Sequence, residues 1–196
     1  MKKTQGRPKQ FDKDEAITSA MNYFWINGYD NTSLSDLINL LGISKSSFYQ
    51  TFNSKEELFR LVLDNYVSAN CDMLSGLKMQ YSSKEILQGF IFRSVKELKE
   101  RGMVKGCLLM NSGRECYVEH PQMMGKISNY YESGLVKIEE LFEDAKQKGD
   151  ITKQEDANTL AILFHNSLTG LTASIKAGAS QQVIDVIVGN LNKMII

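Results

Sequence analysis

Residues 32–55 read TSLSDLINLLGISKSSFYQTFNSK, and this stretch decides the fold. Four leucine and isoleucine side chains recur at a spacing of three or four residues, which predicts a short amphipathic helix. They are Leu34, Leu37, Ile38 and Leu41. Gly42 follows, and glycine readily adopts the left-handed backbone with which many helices end. Ser44 is suited to cap a second short helix that reaches Phe52. Two short helices joined by a glycine turn form a helix-turn-helix, whose second helix enters the major groove of DNA.

The second helix has one buried anchor, Phe48, and its other side chains can form hydrogen bonds. Position assigns four of them to base edges, because lysine suits guanine acceptors and glutamine suits adenine. These four are Lys45, Ser46, Gln50 and Thr51. Ser44 and Ser47 complete the predicted contact surface of this helix. Thr32 and Ser33 are predicted to contact phosphates, to cap the first helix, or both.

Lys55 stands at the start of the helix that follows, next to backbone amides that favour an anion. It is therefore predicted to hold a DNA phosphate, and the alternative is an ordinary surface lysine. Lys2, Lys3, Arg7 and Lys9 place four positive charges and no acid in the first ten residues. Such an arm can reach a DNA backbone or minor groove, or it can be a solvated tail.

The stretch, with Gly28-Tyr29 before it and residues 54–58 after it, resembles the DNA-binding domain of the TetR family of bacterial repressors. It follows the pattern GISK-x-S-FY-x-x-F-x-SKEEL nearly without a break. Ser46 is a small departure, since many members carry glycine or proline there. The resemblance implies that Tyr49 contacts a phosphate.

The rest of the chain shows helical spacing, few strand-like alternations and only two prolines. Ser54 and Glu57 form a capping box before a long helix, and no proline-rich linker interrupts it. We therefore expect an all-α protein. An N-terminal three-helix domain with the helix-turn-helix, residues 1–52, is joined by the long helix to a C-terminal helical bundle, residues 53–196. The resemblance implies that this bundle binds an effector and dimerises.

The last two helices present more apolar surface than one packing face needs, which predicts a two-fold four-helix dimer interface of the kind TetR-like proteins form. The alternative is burial within one subunit. The predicted interface residues are Leu160, Phe164, Leu168, Leu171, Ile184, Ile187 and Leu191.

The resemblance further implies that a small molecule binds inside the bundle and that the long helix then moves the DNA-reading heads apart. The predicted pocket residues are Phe90, Met103, Cys107, Met110, Asn111, Arg114, Tyr117, Met124, Tyr131, Phe164 and His165. For each apolar member, a place in the ordinary core is the alternative. Met123, Glu115 and His120 are further members of the same set.

The segment GCLLMNSGREC, residues 106–116, resembles an AcrR/NemR-like TetR subfamily in which some repressors sense electrophiles or oxidants through cysteine. It implies redox roles for Cys107 and Cys116. A nearby Lys105, Arg114 or Lys176 would make a thiol more reactive. The alternative is that Cys107 is a small buried apolar residue. Three cysteines, an odd number, argue against a disulfide framework.

An enzyme is the competing class of protein. The chain has two histidines, no metal-spaced cluster and no phosphate-binding or nucleophile motif. Cys107 with His165 could form a nucleophile–base pair in principle, but nothing in the sequence supports their proximity. We expect no metal, no cofactor and no enzymatic activity. The expected function is a DNA-binding regulator, a repressor released from its operator by a small molecule or an electrophile. An activator and a non-specific DNA-binding protein are the alternatives. The expected partners are double-stranded operator DNA, a second copy of the chain and the effector. No apolar run could span a membrane, so a cytoplasmic location is expected by default.

Overall fold

The computed structural model describes the backbone of residues 12–101 and 105–196, and the side chains of the same residues except 97–101. The basic arm and Met103 therefore lie outside the described residues. Within this part of the chain all regular secondary structure is helical. Its helices are α1 (Lys13–Asn27), α2 (Leu34–Leu41), α3 (Lys45–Phe52), α4 (Lys55–Lys78), α5 (Ser83–Arg101), α6 (Leu108–Glu119), α7 (Pro121–Gln147), α8 (Ala157–Lys176) and α9 (Gln181–Met194). The all-α expectation is confirmed, and none of these helices is long and apolar enough to cross a membrane.

The ends of the first three helices follow from single residues. Gly28 ends α1 at a φ of 85°, and Gly42 ends α2 in the left-handed region with a φ of 63°. Ser33 and Asp36 form a reciprocal capping box at the start of α2. The Ser44 side chain caps α3 by accepting from the Ser47 backbone amide. The tight turn of the helix-turn-helix therefore lies where the sequence predicts it.

The chain divides into two compact units, Met1–Asn65 and Tyr66–Ile196, and the division falls inside α4. Phe59, from the second turn of α4, packs against Phe24 and Tyr29 within the first unit. This structural boundary differs from the functional boundary predicted between residues 52 and 53, which stays a prediction.

The second unit is a helical bundle in which α7 packs against α5, α6 and α8, and α8 also packs against α5 and α9. Large apolar side chains such as Leu87, Phe142 and Phe164 form its core. The Lys146 ammonium donates to the Lys153 carbonyl over 2.6 Å and also to the Glu155 carbonyl. These bonds hold the connection between α7 and α8 against the end of α7.

Candidate functional site

The exposed face of α3 is held in place by its buried face. Phe48 is 0% exposed, and its ring centroid lies 5.4 Å from that of Phe52, which is also buried. Both anchors fix the helix against the rest of the unit, and Lys45, Ser46 and Gln50 are solvent-exposed. This arrangement gives three hydrogen-bonding side chains a defined position on a rigid helix.

Tyr49 is exposed beside these three residues, and its ring meets that of Phe48 edge to face at 6.0 Å. The other predicted residues, Thr51, Ser47 and the N-cap Ser44, form hydrogen bonds with one another or with the backbone of α3. Thr51 Oγ1 donates to the Ser47 carbonyl over 2.8 Å, and the hydroxyls of Ser44 and Ser47 are 2.9 Å apart. Lys45, Ser46 and Gln50 therefore remain the strongest predictions for base contact.

Thr32 takes a different place from the one expected. It is 0% exposed, and its hydroxyl donates to the Gly28 carbonyl over 2.6 Å. Its backbone amide donates to the Tyr29 carbonyl over 3.2 Å. Thr32 thus closes the loop between α1 and α2, which is a structural role, and its phosphate contact stays a prediction.

Ser33 is exposed and also caps α2, as predicted for a residue with both roles. Its hydroxyl donates to an Asp36 carboxylate oxygen over 2.6 Å, and its backbone amide donates to the same oxygen over 2.8 Å. These two hydrogen bonds hold the pKa of Asp36 below its ordinary value. The acid therefore stays ionised and keeps the start of α2 fixed next to the loop.

Lys55 is held at the start of α4 by an aromatic ring. Its Nζ lies 4.1 Å from the centroid of the Tyr29 ring, within the range of a cation–π interaction. Ser54 caps the same helix end, since its hydroxyl accepts from the Glu57 amide over 3.0 Å. The sequence predicts a phosphate contact for Lys55 and a capping role for Ser54. No local sequence pattern indicates the contact between Lys55 and Tyr29.

Cys107 lies half-buried at the N-cap of α6. The Tyr66 hydroxyl donates to its sulfur over 3.7 Å. The Lys105 carbonyl, two residues earlier, accepts from the Asn111 amide over 3.0 Å and from the Lys176 ammonium over 2.8 Å. Lys176, one of the three basic residues predicted near the thiol, is thus hydrogen-bonded to the backbone two residues before Cys107.

Cys116 is fully buried further along the same helix. The two cysteines are separated by about 13 Å of helical rise at about 1.5 Å per residue. A disulfide needs Cα atoms within about 7 Å, so the intact α6 keeps these two sulfurs apart. A disulfide between Cys107 and Cys116 of one folded chain is therefore excluded.

His165 on α8 faces Tyr131 on α7, and their rings meet edge to face with centroids 5.2 Å apart. Its Nδ1 is buried and has no hydrogen-bond partner among the described residues. Burial lowers the pKa of His165 below its ordinary value, so the ring is neutral near pH 7. The structure thereby brings together two predicted pocket residues, Tyr131 and His165. The Nδ1 atom of His165 is placed to accept a hydrogen bond from a bound molecule or to donate one to it.

Comparison with known proteins covers both compact units. Residues 16–62 match the family described as "Bacterial regulatory proteins, tetR family". Residues 84–189 match "Tetracyclin repressor-like, C-terminal domain", which is more than half of the chain. The chain belongs to the TetR family. It is a DNA-binding transcriptional regulator, and the family consists of regulators rather than enzymes.

Among the relatives that match this TetR-family chain over most of its length are two described as a repressor and a negative regulator. The HTH-type transcriptional repressor ComR of Escherichia coli strain K12 is 30% identical over 96% of the chain and 91% of its own length. The biofilm operon icaADBC negative transcriptional regulator IcaR of Staphylococcus aureus strain Newman is 26% identical over 87% of the chain and 89% of its own length.

Solved structures of the TetR family show the same fold. A cysteine mutant of the regulator CifR, complexed with 26-bp double-strand operator DNA, is 25% identical with a TM-score of 0.77, and the match covers 94% of this chain and 97% of that one. The reduced form of NemR from Escherichia coli has a TM-score of 0.81 over 93% of this chain and 96% of that one. NemR is 15% identical, so this likeness concerns the fold alone.

The pocket residues predicted for a TetR-family effector occupy different environments. Tyr117 is 72% exposed and Arg114 is also exposed, so both lie on the surface. Phe164 is in the core, where its ring meets that of Phe142 at 5.6 Å. Phe90 packs against the same core. Met110, Asn111 and Met124 are half-buried, as are Glu115 and His120, whereas Met123 is buried. No group of three or more potential metal ligands occurs in the described part of the chain.

The dimer residues predicted from the apolar surface of the last two helices belong largely to the core of one subunit. Five are buried within it: Leu160, Phe164, Leu171, Ile184 and Leu191. Leu168 and Ile187 are half-buried against that core. The apolar side chains that α8 and α9 leave exposed are their neighbours Ile162, Leu163, Val183 and Val186. The seven residues stay a prediction for the interface, and the four exposed neighbours are further candidates on the same two helices.

Proposed function

We propose that the chain is a dimeric repressor that reads an operator with the exposed face of α3. The observation that carries this proposal is the rigid presentation of Lys45, Ser46 and Gln50 above the buried anchors Phe48 and Phe52. The relatives ComR and IcaR are described as a repressor and a negative regulator. The similar CifR mutant was solved on operator DNA. All three support a repressor that acts at an operator.

Lys45 and Gln50 are the proposed base-reading residues, because α3 presents both to solvent and the N-terminal part of a recognition helix meets base edges. Lysine donates to guanine O6 and N7, and glutamine pairs with adenine N6 and N7. Ser33, Tyr49 and Lys55 are the proposed phosphate contacts. They would fix the register of α3 without reading sequence.

Two copies of α3 would have to meet half-sites about 34–36 Å apart, which a two-fold dimer provides. The exposed apolar side chains of α8 and α9 support such a dimer, since Leu163 is 47% and Val186 is 60% exposed in the single chain. Apolar positions repeated along two adjacent helices are suited to the matching face of a second copy.

Operator binding is tested by fluorescence anisotropy with the DNA upstream of the protein's own gene and with scrambled DNA. We expect salt-sensitive binding with a high specificity ratio. Lys45→Ala and Gln50→Ala should each cost about 1–3 kcal/mol and relax the preference at one base pair. The matched controls are Lys96→Ala and Gln88→Ala, exposed residues of the same types on α5. Equal affinity for scrambled DNA, or unchanged binding in both α3 variants, would refute the proposal.

We further propose that an effector acts on the second unit and releases the DNA. Helix α4 extends without a break from Lys55 to Lys78. A displacement of the helix at Tyr66 would therefore also displace its N-terminal end at Lys55. An effector must favour one of the two arrangements to have any effect. A small molecule that hydrogen-bonds to His165 Nδ1 is one candidate, because that atom is buried and lacks a protein partner among the described residues.

An electrophile that attacks Cys107 is the second candidate. Cys107 is half-buried at the N-cap of α6, where a reagent can reach its sulfur, whereas Cys116 is fully buried. The test is release of operator DNA by a quinone or an aldehyde, measured for the wild type, Cys107→Ser and Cys116→Ser. We expect Cys107→Ser to abolish release and Cys116→Ser to retain it. Unchanged release in Cys107→Ser would exclude this trigger.

A further inference from the structure

Tyr29 is a buried aromatic residue in the loop between α1 and α2. Its side chain is buried, and its ring packs between two phenylalanines of the first unit. The ring centroid lies 5.9 Å from that of Phe24 and 4.7 Å from that of Phe59. The phenylalanine centroids are themselves 4.9 Å apart. The three rings support one another, so the face of Tyr29 has a fixed position and orientation.

The backbone of Tyr29 is fixed as well. Its carbonyl accepts from the Thr32 amide over 3.2 Å, and the Thr32 hydroxyl binds the Gly28 carbonyl over 2.6 Å. The loop that carries Tyr29 is therefore closed by internal hydrogen bonds. Buried packing and loop closure together leave the ring little freedom to move.

Lys55 Nζ lies 4.1 Å from the centroid of this fixed ring. A cation over an aromatic face is attracted by the ring quadrupole, which uses none of the three N–H donors of the ammonium. Arg60 contacts Glu56 over 2.7 Å and Glu57 over 3.8 Å in the first turns of the same helix. Arg60 thus offsets the negative charge that the first turn of α4 would otherwise present to a phosphate.

We propose that Tyr29 is a positioning residue for DNA binding, which holds the Lys55 ammonium at the start of α4 in the place where it meets a phosphate. This inference rests on the proposed phosphate contact of Lys55. A lysine has a long flexible side chain, so a ring that selects one position before DNA arrives reduces the ordering required on binding. The recognised chemistry is a DNA phosphate, independent of base sequence.

The test measures how operator affinity depends on salt for the wild type, Lys55→Ala, Tyr29→Phe, Tyr29→Leu and the double variant Tyr29→Leu/Lys55→Ala. Loss of one phosphate contact lowers the salt slope by about one per bound subunit. We expect Lys55→Ala and Tyr29→Leu to lower the slope alike, the double variant to lower it no further, and Tyr29→Phe to retain it because the ring remains. Lys96→Ala is the control for loss of a lysine far from α3 in sequence.

A second readout uses the free protein and does not depend on DNA. Lys55 should show side-chain NMR resonances shifted by the Tyr29 ring current in the wild type and in Tyr29→Phe, and unshifted in Tyr29→Leu. Thermal unfolding of each variant checks that it is folded, and the wild-type spectrum decides the contact even if Tyr29→Leu does not fold.

Three outcomes separate the two proposals. If the wild type binds no operator, the proposed function fails, whatever the NMR result. If it binds and Lys55→Ala lowers the slope while folded Tyr29→Leu does not, Tyr29 has no positioning role. Absence of a ring-current shift at Lys55 in the wild type would overturn the inference in the same way.

Discussion

The Tyr66 hydroxyl lies 3.7 Å from the Cys107 sulfur and donates a hydrogen bond to it across 41 positions of sequence. Tyr66 belongs to α4, and Cys107 is the N-cap of α6. The contact therefore joins the helix proposed to carry the conformational change to a thiol proposed to receive an electrophile. An adduct on the sulfur would add bulk beside the Tyr66 hydroxyl and so disturb this contact.

The first prediction concerns Tyr66 at alkaline pH. Burial, together with the neighbouring Cys107, raises the pKa of Tyr66 far above its ordinary value of 10.0. The folded state thus retains a proton that the unfolded chain loses near pH 10. The resulting stability is complete below pH 10 and is lost as the pH rises further, by up to about 1.4 kcal/mol per pH unit.

Tyr66→Phe removes both the hydrogen bond and the retained proton. We expect it to be about 1 kcal/mol less stable than the wild type at pH 8, with the difference shrinking above pH 10. Urea unfolding at several pH values measures this, and Tyr81→Phe, an exposed tyrosine, is the control. Parallel stability curves for the wild type and Tyr66→Phe would contradict the assignment.

The second prediction concerns His165 at acid pH. Burial lowers its pKa below the ordinary value of 6.5, so the folded state disfavours the protonated ring. The corresponding stability is present above pH 6.5 and is lost as the pH falls through the lower folded-state value. His165→Leu should unfold less readily than the wild type in this acid range. Near pH 7.5 its stability should match the wild type or exceed it by about 1 kcal/mol, because an unsatisfied buried nitrogen is removed.

The measurement for His165 is thermal unfolding between pH 5 and 7.5, with His120→Gln as the control at the other histidine. A wild type and a His165→Leu variant that lose stability equally on acidification would show that this ring has no part in the pH dependence.

The third prediction concerns the exposed face of α8 and α9. If the proposed dimer forms through this face, Leu163→Glu combined with Val186→Glu should convert it into a monomer of about 22.1 kDa, as measured by light scattering. A carboxylate buried without a partner costs about 3 kcal/mol. Val118→Glu, which changes an exposed valine on α6, should leave the mass unchanged. Dissociation by Val118→Glu but not by the double variant would place the interface elsewhere.

The fourth prediction separates structure from phosphate contact in the α1–α2 loop. Thr32→Val keeps the branched shape but removes the donor to the Gly28 carbonyl, which should lower stability by about 1 kcal/mol. The salt slope of operator binding should not change, because the hydroxyl is buried. Ser33→Ala should lose a similar amount of stability with the capping box and also lower the slope. A reduced salt slope of operator binding in Thr32→Val would show that the Thr32 side chain does contact a phosphate.

Short-range chemistry made much of the first unit predictable. Gly28, Gly42, Ser44 and Ser54 lie at helix ends where the sequence expects them, because caps and turns depend on neighbouring residues. The outward residues of α3 were predictable for the same reason, since one apolar anchor sets the orientation of a short helix.

The sequence by itself determined that the last two helices are rich in apolar residues. The helix-turn-helix motif likewise identified the residues of α3 that would meet a DNA groove. Only the tertiary structure decided which apolar side chains face the subunit core: Leu160 and Phe164 are inside, whereas Leu163 remains exposed. It likewise decided that Thr32 is buried and that Tyr66 meets Cys107. Local patterns specify how a segment folds and which residues share a face. The element that covers that face is set by contacts between positions far apart in the chain, which spacing within one helix does not encode.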